Sequence, residues 1–291
     1  MDYRAREIKR ERDYCARKGN TMAQVQAGDV KLYYEVHGSG EPLLMIMGLG
    51  SSSATWNPIL VTELSRRFQT IVYDNRGTGQ SDKPAIPYSL EMFASDAIAL
   101  LDALKIERSH VFGVSMGGMI AQELALGHPS RLQTLTLGCT TCGGKHAVPP
   151  PPESLKILTA PRDGASNEEI IRRSWPLAYP REYIERHRAE LEAAIPRLLA
   201  HPTPPSADKR HLDATYGLKT YDRLPSINTP TLVITGEGDV LIPARNSEII
   251  AERIPGARYH VVPDAGHAFF NQNPDEFIRV FVPFVEAHPL N

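Results

Sequence analysis

Ser115 lies at the centre of Gly113-Val114-Ser115-Met116-Gly117, between the strand-like run 109–112 and the helix-like stretch 118–125. A serine on a tight strand-to-helix turn has a strained backbone that projects its hydroxyl from the sheet and aims the next backbone N–H at the reacting atom. The chemistry this serves is nucleophilic attack. Glycine spacing of this kind is common by chance, since glycine is about 7% of residues in ordinary chains; the strand, turn and helix around it carry the reading. Gly117 and Gly118 would each cost about 1 kcal/mol relative to alanine in a first helical turn. Close packing of that helix against a strand is the demand that outweighs propensity.

A serine hydroxyl needs a base at hydrogen-bond distance to attack at neutral pH. In open parallel sheets ligands collect beyond the carboxyl ends of the strands, so partners are sought there. The run Thr231-Leu232-Val233-Ile234 leads into Thr235-Gly236-Glu237-Gly238-Asp239, and the run 259–262 leads into Pro263-Asp264-Ala265-Gly266-His267. His267 is the expected base and Asp239 the carboxylate that orients it. His260 competes for the first role but reads as a strand residue. Glu237 and Asp264 compete for the second, and Asp239 is preferred because it can reach the far imidazole nitrogen from a neighbouring strand end.

The elements that must hold these residues alternate. Strand patterns occur at 30–36, 43–47, 71–73, 111–114, 132–137, 231–234 and 259–262, and helical patterns at 60–68, 90–104, 116–126, 244–254 and 274–286. Alternating units of this kind predict an α/β fold, a mostly parallel central sheet flanked by helices. The alternation stops between about 142 and 227. There Trp175, Tyr179, Tyr183, Leu191, Ile195 and Leu198 recur at helical spacing, punctuated by Pro196, Pro202, Pro204 and Pro205. The predicted organisation is a charged extension over 1–21, a core built from 22–142 and 228–291, and a helical cap insertion over 143–227. The extension has little apolar besides Tyr3, Ile8 and Tyr14 and cannot bury itself; Met22 is the expected start of the folded part.

With 291 residues and a net charge of −2, the chain has ample core material and lacks the basic footprint of nucleic-acid binding. No apolar run approaches the roughly 20 residues that span a bilayer, and no hydrophobic leader opens the chain, so a soluble, cytoplasmic protein is expected. Cys15, Cys139 and Cys142 are too few for a disulfide framework. Cys139 and Cys142 have CxxC spacing without a second pair, and read as small residues closing a strand. No metal or nucleotide motif appears, so no cofactor is expected. His37, His128 and His201 read as surface or loop residues.

From about Gln24 onward the chain resembles the α/β-hydrolase superfamily. The resemblance rests on Met47-Gly48-Leu49-Gly50, the loop 73–82 (Tyr-Asp-Asn-Arg-Gly-Thr-Gly-Gln-Ser-Asp), Gly113 to Gly117, Gly236 to Asp239 and Ala265-Gly266-His267, all in order. Within the superfamily it is similar to small serine esterases and enol-lactonases with a helical cap, and less specifically to cofactor-free haloperoxidases and carbon–carbon bond hydrolases. Met47 departs from the pattern, standing where many members place a histidine. The resemblance implies a Ser115, His267, Asp239 triad, with an oxyanion hole from the backbone N–H groups of Leu49 and Met116. Asp74, Arg76 and Asp82 are expected to brace their loop. Trp56, Trp175, Val240, Leu241, Phe269 and Phe270 are the expected substrate lining, suited to small, largely apolar esters or lactones. Arg172, Arg173, Arg181 and Arg186 offer a carboxylate contact or a solvated helix face. Serine at 115, in place of aspartate, argues against dehalogenation and epoxide opening. Perhydrolysis, a weakly catalytic ligand receptor on the same fold, and a homodimer stay open.

Overall fold

A computed structural model describes residues 21–160 and 164–290; the charged extension expected over 1–21 lies almost wholly outside the described residues. Eight strands form one sheet: β1 (Thr21–Ala27), β2 (Val30–His37), β3 (Glu41–Ile46), β4 (Phe68–Tyr73), β5 (Ser109–Val114), β6 (Leu132–Gly138), β7 (Thr231–Gly236) and β8 (Arg258–Val262). Their order is β1-β2-β4-β3-β5-β6-β7-β8. The β1–β2 and β2–β4 pairs are antiparallel, and every pair from β4 onward is parallel. The β1–β2 hairpin escaped the pattern reading, although its two-residue turn Gly28-Asp29, with Gly28 at φ +60°, is a recognisable hairpin signal.

Helices cover both faces. They are α1 (Pro58–Leu64), α2 (Leu90–Ala103) and α3 (Met116–Gly127) in the first half, and α4 (Pro152–Leu158), α5 (Asn167–Ala178), α6 (Arg181–Arg186), α7 (Arg188–Leu198) and α8 (Pro205–Thr215) between β6 and β7. Then come α9 (Arg245–Arg253), α10 (Phe269–Gln272) and α11 (Pro274–Glu286). Successive side chains of β3 alternate between two cores. Leu44 and Ile46 meet α2 and α3 through Phe93, Leu100 and Ile120; Leu43 and Met45 meet Trp56, Phe112, Phe277 and Phe281. Phe112 stacks on Phe277 at 4.7 Å and Phe277 on Phe281 at 4.9 Å. Burying each such ring contributes about 1.5–3 kcal/mol, which pins α11 beneath β5 and steadies the strand that leads into Ser115.

Three expectations shift. The helix expected over 60–68 runs from Pro58 to Leu64, because Asn57 caps it at the Ile59 N–H (2.9 Å) and Phe68 opens β4 with its ring buried against Phe281. Pro196 lies inside the last turns of α7, whereas Pro202 and Pro204 separate α7 from α8 and Pro205 starts α8. His37, expected at the surface, is buried where β2 pairs with β4 and bonds Glu35 Oε2 at 2.8 Å.

Candidate active site

The sheet order sets four chain ends side by side. β5 leads into Ser115, β6 into Cys139, β7 into Asp239 and β8 into His267. Ser115 has φ +56° and ψ −122°, a left-handed conformation that is costly for a residue with a side chain. Its surroundings determine it. The Ser115 N–H donates to Gly138 O at 2.9 Å, and its carbonyl accepts from Gly118 N–H at 2.9 Å and Thr140 Oγ1 at 2.8 Å. A Cβ at Gly113 would meet Gly117 O at 2.2 Å, and one at Gly117 would meet Ile46 O at 2.1 Å. Only hydrogen fits at either position, so the turn closes directly onto β3.

Asp239 Oδ2 accepts from His267 Nδ1 at 2.7 Å, while Oδ1 accepts from the Leu241 and Ile242 N–H groups at 2.9 and 2.8 Å. The acid is thus fixed on three sides. The His267 ring is 12% exposed; burial opposes its charge, but the adjacent Asp239 carboxylate outweighs this and holds the imidazolium well above the ordinary value of 6.5. Of the three expected members, Asp239 and His267 are joined by a hydrogen bond; Ser115 stands past the end of β5 at the same edge of the sheet and is held by its backbone.

The competitors fall away. His260 bonds Glu276 Oε1 at 3.1 Å on β8, and Glu237 Oε2 accepts from the Asp264 N–H. Asp74, Arg76 and Asp82 brace their loop, as expected. Asp74 accepts from the Ser53 and Gln80 N–H groups, both at 2.7 Å, and Arg76 grips Asp96 twice at 2.6 Å. Asp82 accepts from the Lys31 N–H at 2.8 Å. Arg172 pairs with Glu192 and Glu168, and Arg181 with Glu185, so both are engaged with acids of the inserted helices.

Gly48 touches the elbow: a Cβ there would lie 3.0 Å from Ser115 Cβ and 3.5 Å from its Oγ. Leu49 follows directly, and Asn75 Nδ2 fixes the loop from behind by donating to Met47 O at 3.1 Å. Met116 opens α3 beside the serine. The expected lining does not form one surface. Trp56, Phe269 and Phe270 pack with one another and with Phe112 in the core, Trp175 is buried within α5, and Leu241 is half-buried over Asp239. Val240 alone of these borders a cleft of about 440 Å³, which it lines together with Leu177, Tyr179, Ile184, Arg188, Gly238 and Gly266.

Cys139 was missed as a site residue. Fully buried at φ +40°, it places its thiol against His267, Asp239 and the Ser115 backbone. The available signal was its position: the residue after the strand lying between β5 and β7. Cys139, Asp239 and His267 present donor atoms within 4.8 Å of one another. Burial pushes the thiol up and keeps it protonated, and Asp239 is already occupied by His267 and two amides. These donors serve one another in preference to a metal ion.

A strained serine at a strand-to-helix turn, with an aspartate two strands away holding a histidine three strands away in an eight-stranded sheet, defines the class of α/β-hydrolase enzymes. The family model described as "Alpha/beta hydrolase family" matches residues 36–280, and the chain belongs to that family. It is 33% identical over 264 residues to a putative carbamate hydrolase, RutD, of Azorhizobium caulinodans, covering 90% of this chain and 98% of that one. Among solved structures it is similar to the enol-lactonase of Burkholderia xenovorans (TM-score 0.77, 26% identity, 91% of this chain and 100% of that one). It is also similar to an N-acyl homoserine lactone degrading enzyme (TM-score 0.71, 30% identity, 90% and 100%). The protein is a hydrolase of the α/β-hydrolase type. Among the described residues no helix is long and apolar enough to cross a membrane.

Proposed function

We propose that the protein is a serine hydrolase that cleaves carboxylic esters or lactones of small, largely apolar substrates through an acyl-enzyme. The observation that carries this reading is the 2.7 Å Asp239–His267 bond beside a serine in a left-handed elbow. Ser115 Oγ attacks the substrate carbonyl carbon as His267 Nε2 takes its proton; Asp239 keeps Nδ1 protonated and stabilises the imidazolium. The carbonyl oxygen gains charge and is received by the Leu49 and Met116 N–H groups at the start of α3, where the helix dipole adds to them. His267 then hands its proton to the leaving alkoxide, and water repeats the sequence to release the acid. The helices over 143–227 act as a cap: Ala268 N–H donates to Ala178 O at 2.9 Å, tying the histidine loop to the end of α5, and Arg197 of α7 donates to the carbonyls of Ala54 and Trp56.

The relatives named for carbamate hydrolysis favour a second substrate class at the same serine, since a carbamate also presents a carbonyl carbon to attack. A panel of p-nitrophenyl esters of increasing chain length, several lactones and a p-nitrophenyl carbamate separates the classes. Ser115→Ala is expected to lower turnover by about 10⁶, the scale seen when a serine hydrolase loses its nucleophile. Wild-type turnover in that variant would end the proposal.

A further inference from the structure

His211 sits on α8, inside the inserted helices, yet its imidazole reaches the loop that precedes the elbow. It is fully buried, edge-on to Phe93 at 5.0 Å and Tyr88 at 5.8 Å. An imidazole buried among aromatic rings is costly unless both nitrogens are bonded. Its Nε2 lies 2.7 Å from Arg76 O, and its Nδ1 lies 3.4 Å from the Gly50 backbone nitrogen. Because a carbonyl only accepts, Nε2 must carry the proton, which leaves the Nδ1 lone pair to accept from the Gly50 N–H.

Gly50 is the residue after Leu49. With φ +65° at Gly50 and glycine again at 48, the backbone around Leu49 has little intrinsic stiffness. Three contacts compensate: Asn75 on Met47 O, Ser115 against Gly48, and His211 on Gly50 N–H. Asp208, one turn earlier on α8, crowds the same glycine, since a Cβ at Gly50 would fall 2.1 Å from its Oδ1. The same face of α8 therefore meets the loop twice.

We infer that His211 is a positioning residue for the oxyanion hole, which it aims from the inserted helices by holding the peptide that follows Leu49. The inference rests on the reading of Leu49 N–H as an oxyanion donor. It also ties the inserted helices to transition-state stabilisation, a role separate from substrate contact.

The test uses the full chain with His211→Ala, His211→Asn and His211→Gln. Asparagine keeps an acceptor near the Nδ1 position and so keeps the Gly50 bond; glutamine reaches the Arg76 carbonyl but offers Gly50 nothing. Kinetics on p-nitrophenyl butyrate are run beside inhibition by a trifluoromethyl ketone, whose carbonyl carbon takes the Ser115 oxygen, with its proton passing to His267, to leave a tetrahedral oxyanion. Losing a whole oxyanion donor costs about 10²–10³ in kcat, so misaiming one is expected to cost about 10-fold or more in His211→Ala and His211→Gln, with KM within about twofold. The inhibition constant should rise by the factor that kcat/KM loses, and His211→Asn should recover most of both. A merely structural histidine would lower the fraction of active sites, counted by titration, without moving inhibitor affinity per active site. Unchanged kcat and inhibitor affinity in His211→Ala overturns the inference; if that variant does not fold, equal values in the Asn and Gln variants overturn it. Failure of the proposed serine-hydrolase site itself is distinguished by Ser115→Ala: turnover retained there removes the site, whereas loss there with an unaffected His211 series leaves the nucleophile standing and removes this inference.

Discussion

Asp239→Asn tests the site by a change of two atoms' chemistry without a change of shape. Oδ1 of Asp239 accepts from two backbone amides, Leu241 at 2.9 Å and Ile242 at 2.8 Å, and both amides need an acceptor. The oxygen of asparagine is drawn to that side, which turns its NH₂ toward His267. Nδ1 must then accept, the proton moves to Nε2, and the base has no lone pair left for the serine. Reversing the amide would leave two buried N–H groups facing an NH₂, at about 1–3 kcal/mol each. The productive tautomer is thereby disfavoured by about 2–6 kcal/mol, which at 1.36 kcal/mol per decade is about 30-fold to about 10⁴-fold in rate. Loss of the carboxylate charge that stabilises the imidazolium adds to this, so kcat is expected to fall by about 10³–10⁴, in line with the serine-protease template. The assay is p-nitrophenyl acetate hydrolysis near pH 7.5, with circular dichroism to show an unchanged fold. A folded Asp239→Asn variant within tenfold of the parent would refute the reasoning, because no amide orientation satisfies both the loop and the productive imidazole.

Further outcomes follow from the same geometry. His267 must be neutral to act as base, and the Asp239 carboxylate raises its proton affinity against the effect of burial; kcat/KM should therefore rise with pH along a limb centred above 6.5, and the residual activity of Asp239→Asn should show that limb displaced to lower pH. A limb centred below 6.5 in the parent enzyme contradicts the assignment. Gly117→Ala places a methyl 2.1 Å from Ile46 O, a backbone atom that cannot swing away; overpacking of about 1–3 kcal/mol is expected, lowering Tm by about 2–12 °C, with kcat falling more than tenfold. Gly127→Ala, which meets nothing within 4 Å, is the control that should leave both unchanged. Asp96→Ala strands the buried Arg76 guanidinium with Asp29 alone; breaking a buried pair costs about 3–5 kcal/mol, and calorimetry should show Tm lowered by about 6–20 °C.

The chain by itself determined the alternation of elements, the elbow and the ends of β7 and β8, because each is local: an apolar run, a glycine that steric contact requires, a polar residue just past a strand. The loop 74–82 was legible as a brace for the same reason, its acids and arginine lying close in sequence. The inserted helices were legible as helical and no further, since apolar spacing along α5 and α7 does not say which element they cover. His37 was misplaced because its burial comes from pairing with β4, more than thirty residues away in the chain. Trp56, Phe269 and Phe270 looked like substrate lining because aromatic residues near a site read alike whether they face a cleft or one another; only packing against Phe112 separates the two. Cys139 and His211 belong to tertiary structure alone. A thiol becomes the neighbour of an imidazole only when β6 settles between β5 and β7, and a histidine 161 residues from Gly50 can hold it only when α8 folds back over the sheet. Local sterics and hydrophobic period are written in short windows of residues, whereas the order of strands and the docking of an insertion are decided by which surfaces bury one another best.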